Sequence, residues 1–211
     1  MDLSLPLRSL VPSLDSVVLD VLAGTESGLT LAQIARIGDR GSRQGLALVL
    51  DRLVEHGLVH AEPAGRGHLY RLNRDHVLAE AVLSASGARA VLLQRIARAA
   101  AALVPTPTHV SAFGSFARRE GGPDSDIDML AVLPDAARAD EQWHEQLRDL
   151  ADLVHNWSGN RLECIGINEQ ELRALARRRE PIVEAWLSDS ITVYGVPLET
   201  LISGSSAGPT T

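Results

Sequence analysis

One stretch in the middle of the chain, FGSFARREGGPDSDIDMLAV over 113–132, constrains the fold more than any other. A Gly-Ser pair is followed by ten residues and then by Asp126 and Asp128, one residue apart, with apolar runs at both ends. The run 109–113 predicts a strand. Gly114-Ser115 predicts the tight turn that opens a short helix, whose free backbone N–H groups would face an anion. A second strand is predicted over 125–133. Residues i and i+2 of a strand share a face, so Asp126 and Asp128 are expected to point one way and Ile127 and Met129 the other.

Such a carboxylate pair has a cost that can be weighed. Two ionised groups about 6 to 7 Å apart repel by about 2 to 3 kcal/mol at an effective dielectric near 20. A bound divalent cation removes that cost. Mg²⁺ suits the site best, since it prefers carboxylate oxygens, keeps several waters and bridges to substrate phosphates, with Mn²⁺ as a substitute. The competing reading is an Asp-rich turn, which is accepted for Gly122 to Ser125 and carries less weight than the metal for Asp126 and Asp128 in an otherwise apolar strand.

On these residues the chain resembles the minimal nucleotidyltransferases of the polymerase-beta-like superfamily. In that family Gly-Ser is followed by about ten residues and Asp-x-Asp, and the spacing matches throughout. The resemblance implies that Gly114 and Ser115 hold a nucleotide's phosphates and that Asp126 and Asp128 hold Mg²⁺. It also implies a third carboxylate from a neighbouring strand, as a metal ligand or as the base that takes the acceptor's proton. Glu163 is the acid inside the strand predicted over 161–167, and its other reading is an exposed strand position beside Arg161. Arg118 is either a further phosphate contact or a solvated helix residue. Arg119 departs from the family, which often has a small residue there.

The rest of the chain is read around this site. With 211 residues, 45% of them hydrophobic and 22% charged, it has room for two small domains. Aromatic residues make up only 3%, so the cores must be aliphatic. The net charge of −7 argues against indiscriminate binding to nucleic acid or anionic membranes. All 20 basic residues are arginine, which we read as a coding bias. A single cysteine, Cys164, excludes an internal disulfide or a cysteine-built zinc site and reads as a small buried hydrophobe. No secretory leader or membrane span is recognisable, so a cytoplasmic protein is expected.

Residues 1–74 have their own pattern. Helices are predicted over 13–23, from an N-cap at Thr30 through 31–37, and over 42–56. A hairpin with a Gly-rich tip at 64–67 follows. This succession resembles a winged helix-turn-helix. The resemblance implies that the third helix enters the major groove of DNA through Arg40, Arg43 and Gln44, with Arg66 and His68 on the wing. Between Arg36 and Arg74 seven arginines stand against four acids, a modest basic patch. The same unit could instead serve dimerisation or partner docking. Two helices over 75–85 and 88–103 would link it to a nucleotidyltransferase domain at 105–202. That domain is completed by helices predicted over 139–157, 169–179 and 181–188 and the short apolar segment 191–196. The tail 203–211 is expected to be disordered.

The fold class expected is α+β: a winged helix-turn-helix, a helical linker, and a polymerase-beta-like domain with a small mixed sheet. The resemblance implies transfer of a nucleoside monophosphate from an NTP, ATP foremost, to an acceptor hydroxyl of RNA, protein or a small molecule. Relatives of the module modify antibiotics, tRNA ends or partner proteins, and some are antitoxins that add AMP to a toxin. The alternative is a DNA-binding regulator or antitoxin whose transferase domain senses nucleotide or modifies a partner toxin. Homodimerisation is compatible with either reading.

Overall fold

A computed structural model describes residues 1–137 and 140–203 of the chain. It divides into two units, the first comprising Asp2 and Ser4–Arg89 and the second Met1, Leu3 and the residues from Ala90 onward. The helices of 75–104 are therefore shared between the units.

The first unit is built from local signals that agree with one another. Helix α1 (Leu14–Ala23) follows Ser13, whose side chain accepts from Asp15 N–H. Helix α2 (Leu31–Gly38) opens on a capping box formed by Thr30 and Gln33. Helix α3 (Arg43–Glu55) begins where Ser42 Oγ accepts from Gly45 N–H at 3.0 Å. Their apolar faces meet in one core that includes Val18, Leu22, Ile34, Leu46 and Leu50. Strands β1 (Val59–Ala64) and β2 (Gly67–Leu72) form an antiparallel hairpin in which Val59 pairs with Leu72. Helix α4 (Ala79–Ser86) adds Val82 to the same core. It starts four residues later than its apolar pattern predicts, because His76 N–H bonds back to Asn73 and Asn73 Oδ1 takes Asp75 N–H, forming a turn.

The second unit is a four-stranded sheet in the order β5-β4-β3-β6, comprising β3 (His109–Phe113), β4 (Ile127–Leu133), β5 (Leu162–Asn168) and β6 (Ile191–Gly195). The central pair is antiparallel, β6 is antiparallel to β3, and β5 is parallel to β4. One face is covered by α5 (Ala88–Ala101) and α7 (Glu141–Ser158), which pack Leu92, Ile96, Trp143, Leu147 and Val154 on Ile127, Met129 and Ala131. The other face carries α8 (Glu169–Arg178), α9 (Pro181–Asp189) and α10 (Leu198–Ser203), which pack Leu172, Val183, Trp186 and Leu198 on Leu130 and Val132.

Strand β4, covered on both faces, has no exposed residue. Its first ladder bond is Ile127 N–H to Arg161 O at 2.8 Å, so the strand starts two residues later than predicted. Ser125 lies outside the strand, in a loop where its carbonyl accepts from the Asn160 side chain at 3.0 Å. Cys164 packs against the α7-covered core, and burial pushes its thiol up to about 12, as suits the small hydrophobe expected there. Helix α7 starts at Glu141 on an Asp140 cap. The predicted start at Ala139 and nearly all of the predicted disordered tail lie outside the described residues. Among the described residues no helix is long and apolar enough to cross a membrane.

Candidate functional site

At the end of β3 the backbone passes from the extended Phe113 into Gly114 at φ +68°, a left-handed conformation that disfavours any side chain. The short helix α6 (Gly114–Ala117) follows, anchored by buried Phe116. Its carbonyls are taken at once, Gly114 O by Arg118 N–H at 3.1 Å and Ser115 O by Glu120 N–H at 2.8 Å. Gly114 is needed for a second reason. A Cβ built there would lie 2.6 Å from Asp128 Oδ2, so the carboxylate rests against the bare turn.

Sheet register explains how it comes to lie there. Phe113 pairs with Asp128 across the antiparallel ladder, and Asp128 pairs with Glu163 across the parallel one. Laterally paired residues point to the same side of a sheet. Asp128 thus stands between the Gly114 turn and Glu163, while its neighbours Ile127 and Met129 are buried in the opposite core. Asp126 precedes the strand. Burial raises the Asp128 carboxyl above its ordinary range, and the negative charges of Glu163 and then Asp126 raise it further.

A site that penalises its own carboxylate in this way fits a divalent cation, and its donors are all hard oxygens. Among the described residues no three His, Cys, Asp or Glu stand together as a ready metal cage. Mg²⁺ does not require one, since it is commonly held by one or two carboxylates, waters and substrate phosphates. Asp126 also lines a cavity of about 320 Å³ with Asp124, His155, Asn160 and Arg161.

Arg118 is placed differently from the trio. Its guanidinium is bound to Glu120 at 2.8 Å and to Asp189 at 2.7 Å, and both bonds raise its pKa. Arg119 adopts φ +62°. The contacts that organise this region come from Asp189 at the end of α9 and Asn160 before β5, neither of which carries a sequence signal for the role. Asn160 lies in a Gly-Asn pair that signals only a turn, and nothing in its spacing announces a partner about 35 residues away.

In the first unit Arg43 and Gln44 are exposed on the first turn of α3. Arg40 lies in the segment between α2 and α3, outside the helix. Arg66 is exposed at the hairpin tip, and His68 on β2 lies 6.1 Å from the Tyr70 ring. Two of the seven arginines are held by acids, Arg52 by Asp15 and Arg71 by Glu62. The exposed side of α3 also carries Asp51 and Glu55. The patch is therefore less basic than a count of charges suggests.

The nucleotidyltransferase domain family model matches residues 93–184, a span that contains Gly114, Ser115, Asp126, Asp128 and Glu163. The match covers a little under half of the chain. Among solved structures, a toxin-antitoxin with AMP-PNP is 15% identical, with a TM-score of 0.40 over 53% of this chain and 82% of that one. A mutant MntA-HpeT toxin-antitoxin is 13% identical, with a TM-score of 0.39 over 53% of this chain and 81% of that one. A comparison with curated proteins finds no match.

Proposed function

We propose that the protein is a Mg²⁺-dependent nucleotidyltransferase. It moves a nucleoside monophosphate from an NTP, ATP foremost, to the hydroxyl of an RNA, protein or small-molecule acceptor. The acceptor oxygen bonds to the α-phosphorus, the bond to the departing pyrophosphate breaks, and the hydroxyl proton passes to a base. The observation that carries this reading is the register, which sets Asp128 beside Glu163 and lays its carboxylate against the bare Gly114 turn. Asp126 and Asp128 hold the cation. Bound there, Mg²⁺ neutralises charge on the triphosphate and lowers the pKa of the attacking hydroxyl, and Mn²⁺ can replace it. Glu163 completes the donor set or takes the proton. Gly114 and Ser115 receive phosphate oxygens through backbone N–H groups and the Ser115 hydroxyl. Arg118 reaches a phosphate only by leaving Glu120 or Asp189.

The test is incubation with each α-labelled NTP, Mg²⁺ and a cell extract. Wild type is expected to transfer label, and an Asp126→Ala/Asp128→Ala variant to transfer none. Equal labelling by the two proteins would overturn the reading.

A second reading concerns the first unit. Its three helices and hairpin support a winged helix-turn-helix that docks on DNA, because Arg43 and Gln44 stand exposed together at the start of α3. It is compatible with the first, the transferase then acting within a DNA-binding regulator or an antitoxin.

A further inference from the structure

The sheet holds Asp128 but not Asp126, which sits in the loop before β4. That loop is fixed from outside. The side chain of Asn160, in a residue only 2% exposed, donates from Nδ2 to Pro123 O at 3.1 Å and to Ser125 O at 3.0 Å. Only the NH₂ end of an amide can serve two carbonyls, so its orientation is determined. Its Oδ1 accepts from the N-terminal ammonium at 3.0 Å, which leaves the side chain committed within the protein.

The residue is itself braced. Its N–H donates to Ser158 Oγ at 3.1 Å, Ser158 Oγ donates to Val154 O at 2.8 Å, and Gly159 at φ +75° ends α7 with its N–H on His155 O at 2.7 Å. The next residue completes the hold, as Arg161 O accepts Ile127 N–H at 2.8 Å. Asp126 is thus clamped on both sides. The carbonyl before it is held by Asn160, and the N–H after it by Arg161.

We infer that Asn160 is a positioning residue that sets the Asp126 carboxylate for cation binding. This rests on the proposed role of Asp126 as a cation ligand. Asn160 touches no ligand itself, because its amide is spent on the loop. Removing a group that orients a metal ligand weakens the metal by about ten- to a hundredfold.

The experiment uses the full chain and Mn²⁺, with affinity read by electron paramagnetic resonance and stability by thermal melting. Asn160→Ser and Asn160→Asp are compared with Leu150→Ala, which truncates a side chain in the α7-covered core of the same unit. The Asn160 variants are expected to bind Mn²⁺ at least about tenfold more weakly. Leu150→Ala should lower the melting temperature while keeping wild-type affinity. Should Asn160→Asp fail to fold, Asn160→Ser keeps a smaller polar group in place and decides the matter. Wild-type affinity in a folded Asn160 variant overturns the inference, as does equal weakening by Leu150→Ala at a matched loss of stability. Absence of Mn²⁺ binding by wild type overturns the metal site itself and this inference with it.

Discussion

Gly114 answers to two constraints, a backbone at φ +68° and a carboxylate oxygen 2.6 Å from where a Cβ would sit. Gly114→Ala should therefore cost about 1 to 3 kcal/mol of stability through backbone strain. It should also abolish nucleotide transfer by displacing Asp128, and chemical denaturation together with the labelling assay would show both. Asp128 makes the opposite prediction for stability. Its folded pKa is raised, so folding gains from the protonated form at low pH and loses that gain as pH rises through the folded value. At neutral pH the ionised carboxylate is a burden. Asp128→Asn is expected to melt at a higher temperature than wild type in EDTA and to lose transfer. Adding Mg²⁺ should raise the melting temperature of wild type more than that of the variant. A variant that melts lower in EDTA would show that the carboxylate has a stabilising partner.

Among the elements, those with strong local signals were legible in the sequence. Strand β3, the turn at Gly114 and helices α1 to α3 fall within a residue or so of their predicted ranges, since caps and apolar periodicity act over a few residues. Strand β4 starts later than its apolar pattern predicts, after a loop whose Ser125 carbonyl accepts a long-range bond from Asn160. Glu163 was readable as a strand acid, but its lateral pairing with Asp128 is a property of register, which no local pattern encodes. The close packing of α7 on β5 was equally hidden. A Cβ on Gly166 would lie 2.3 Å from Trp143 Cζ3, an approach that only a missing side chain permits. Gly166→Ala should destabilise by about 1 to 3 kcal/mol through overpacking. Denaturant titration would detect it, and an unchanged midpoint would mean that the indole can move aside.

The cooperative behaviour of the second unit should depend on pH through His109. This imidazole is fully buried, its Nδ1–H donates to Val196 O at 2.7 Å, and burial lowers its pKa against the opposing pull of Val196 and Glu199. A depressed folded pKa means that the unfolded chain takes up the proton first. The stabilising contribution is then complete above the ordinary value of 6.5 and is lost as pH falls through the folded pKa. Melting temperature should drop on acidification below about pH 6.5, and less steeply in His109→Gln. For the first unit, Arg43→Ala should weaken DNA binding and reduce its salt slope by about one, measured by anisotropy at several salt concentrations. No binding by wild type at low salt would make this unit a docking module. Within the chain as a whole, chemistry was the legible part. The residue types and the spacing of Gly114, Ser115, Asp126 and Asp128 point to a phosphate and a hard cation, because those requirements are local and appear as a short pattern. The arrangement came from elsewhere. Which acid stands beside Asp128, what occupies Arg118 and what holds the Asp126 loop depend on strand register and on bonds between residues tens of positions apart. Such contacts exist only after the cores on both faces of the sheet have closed.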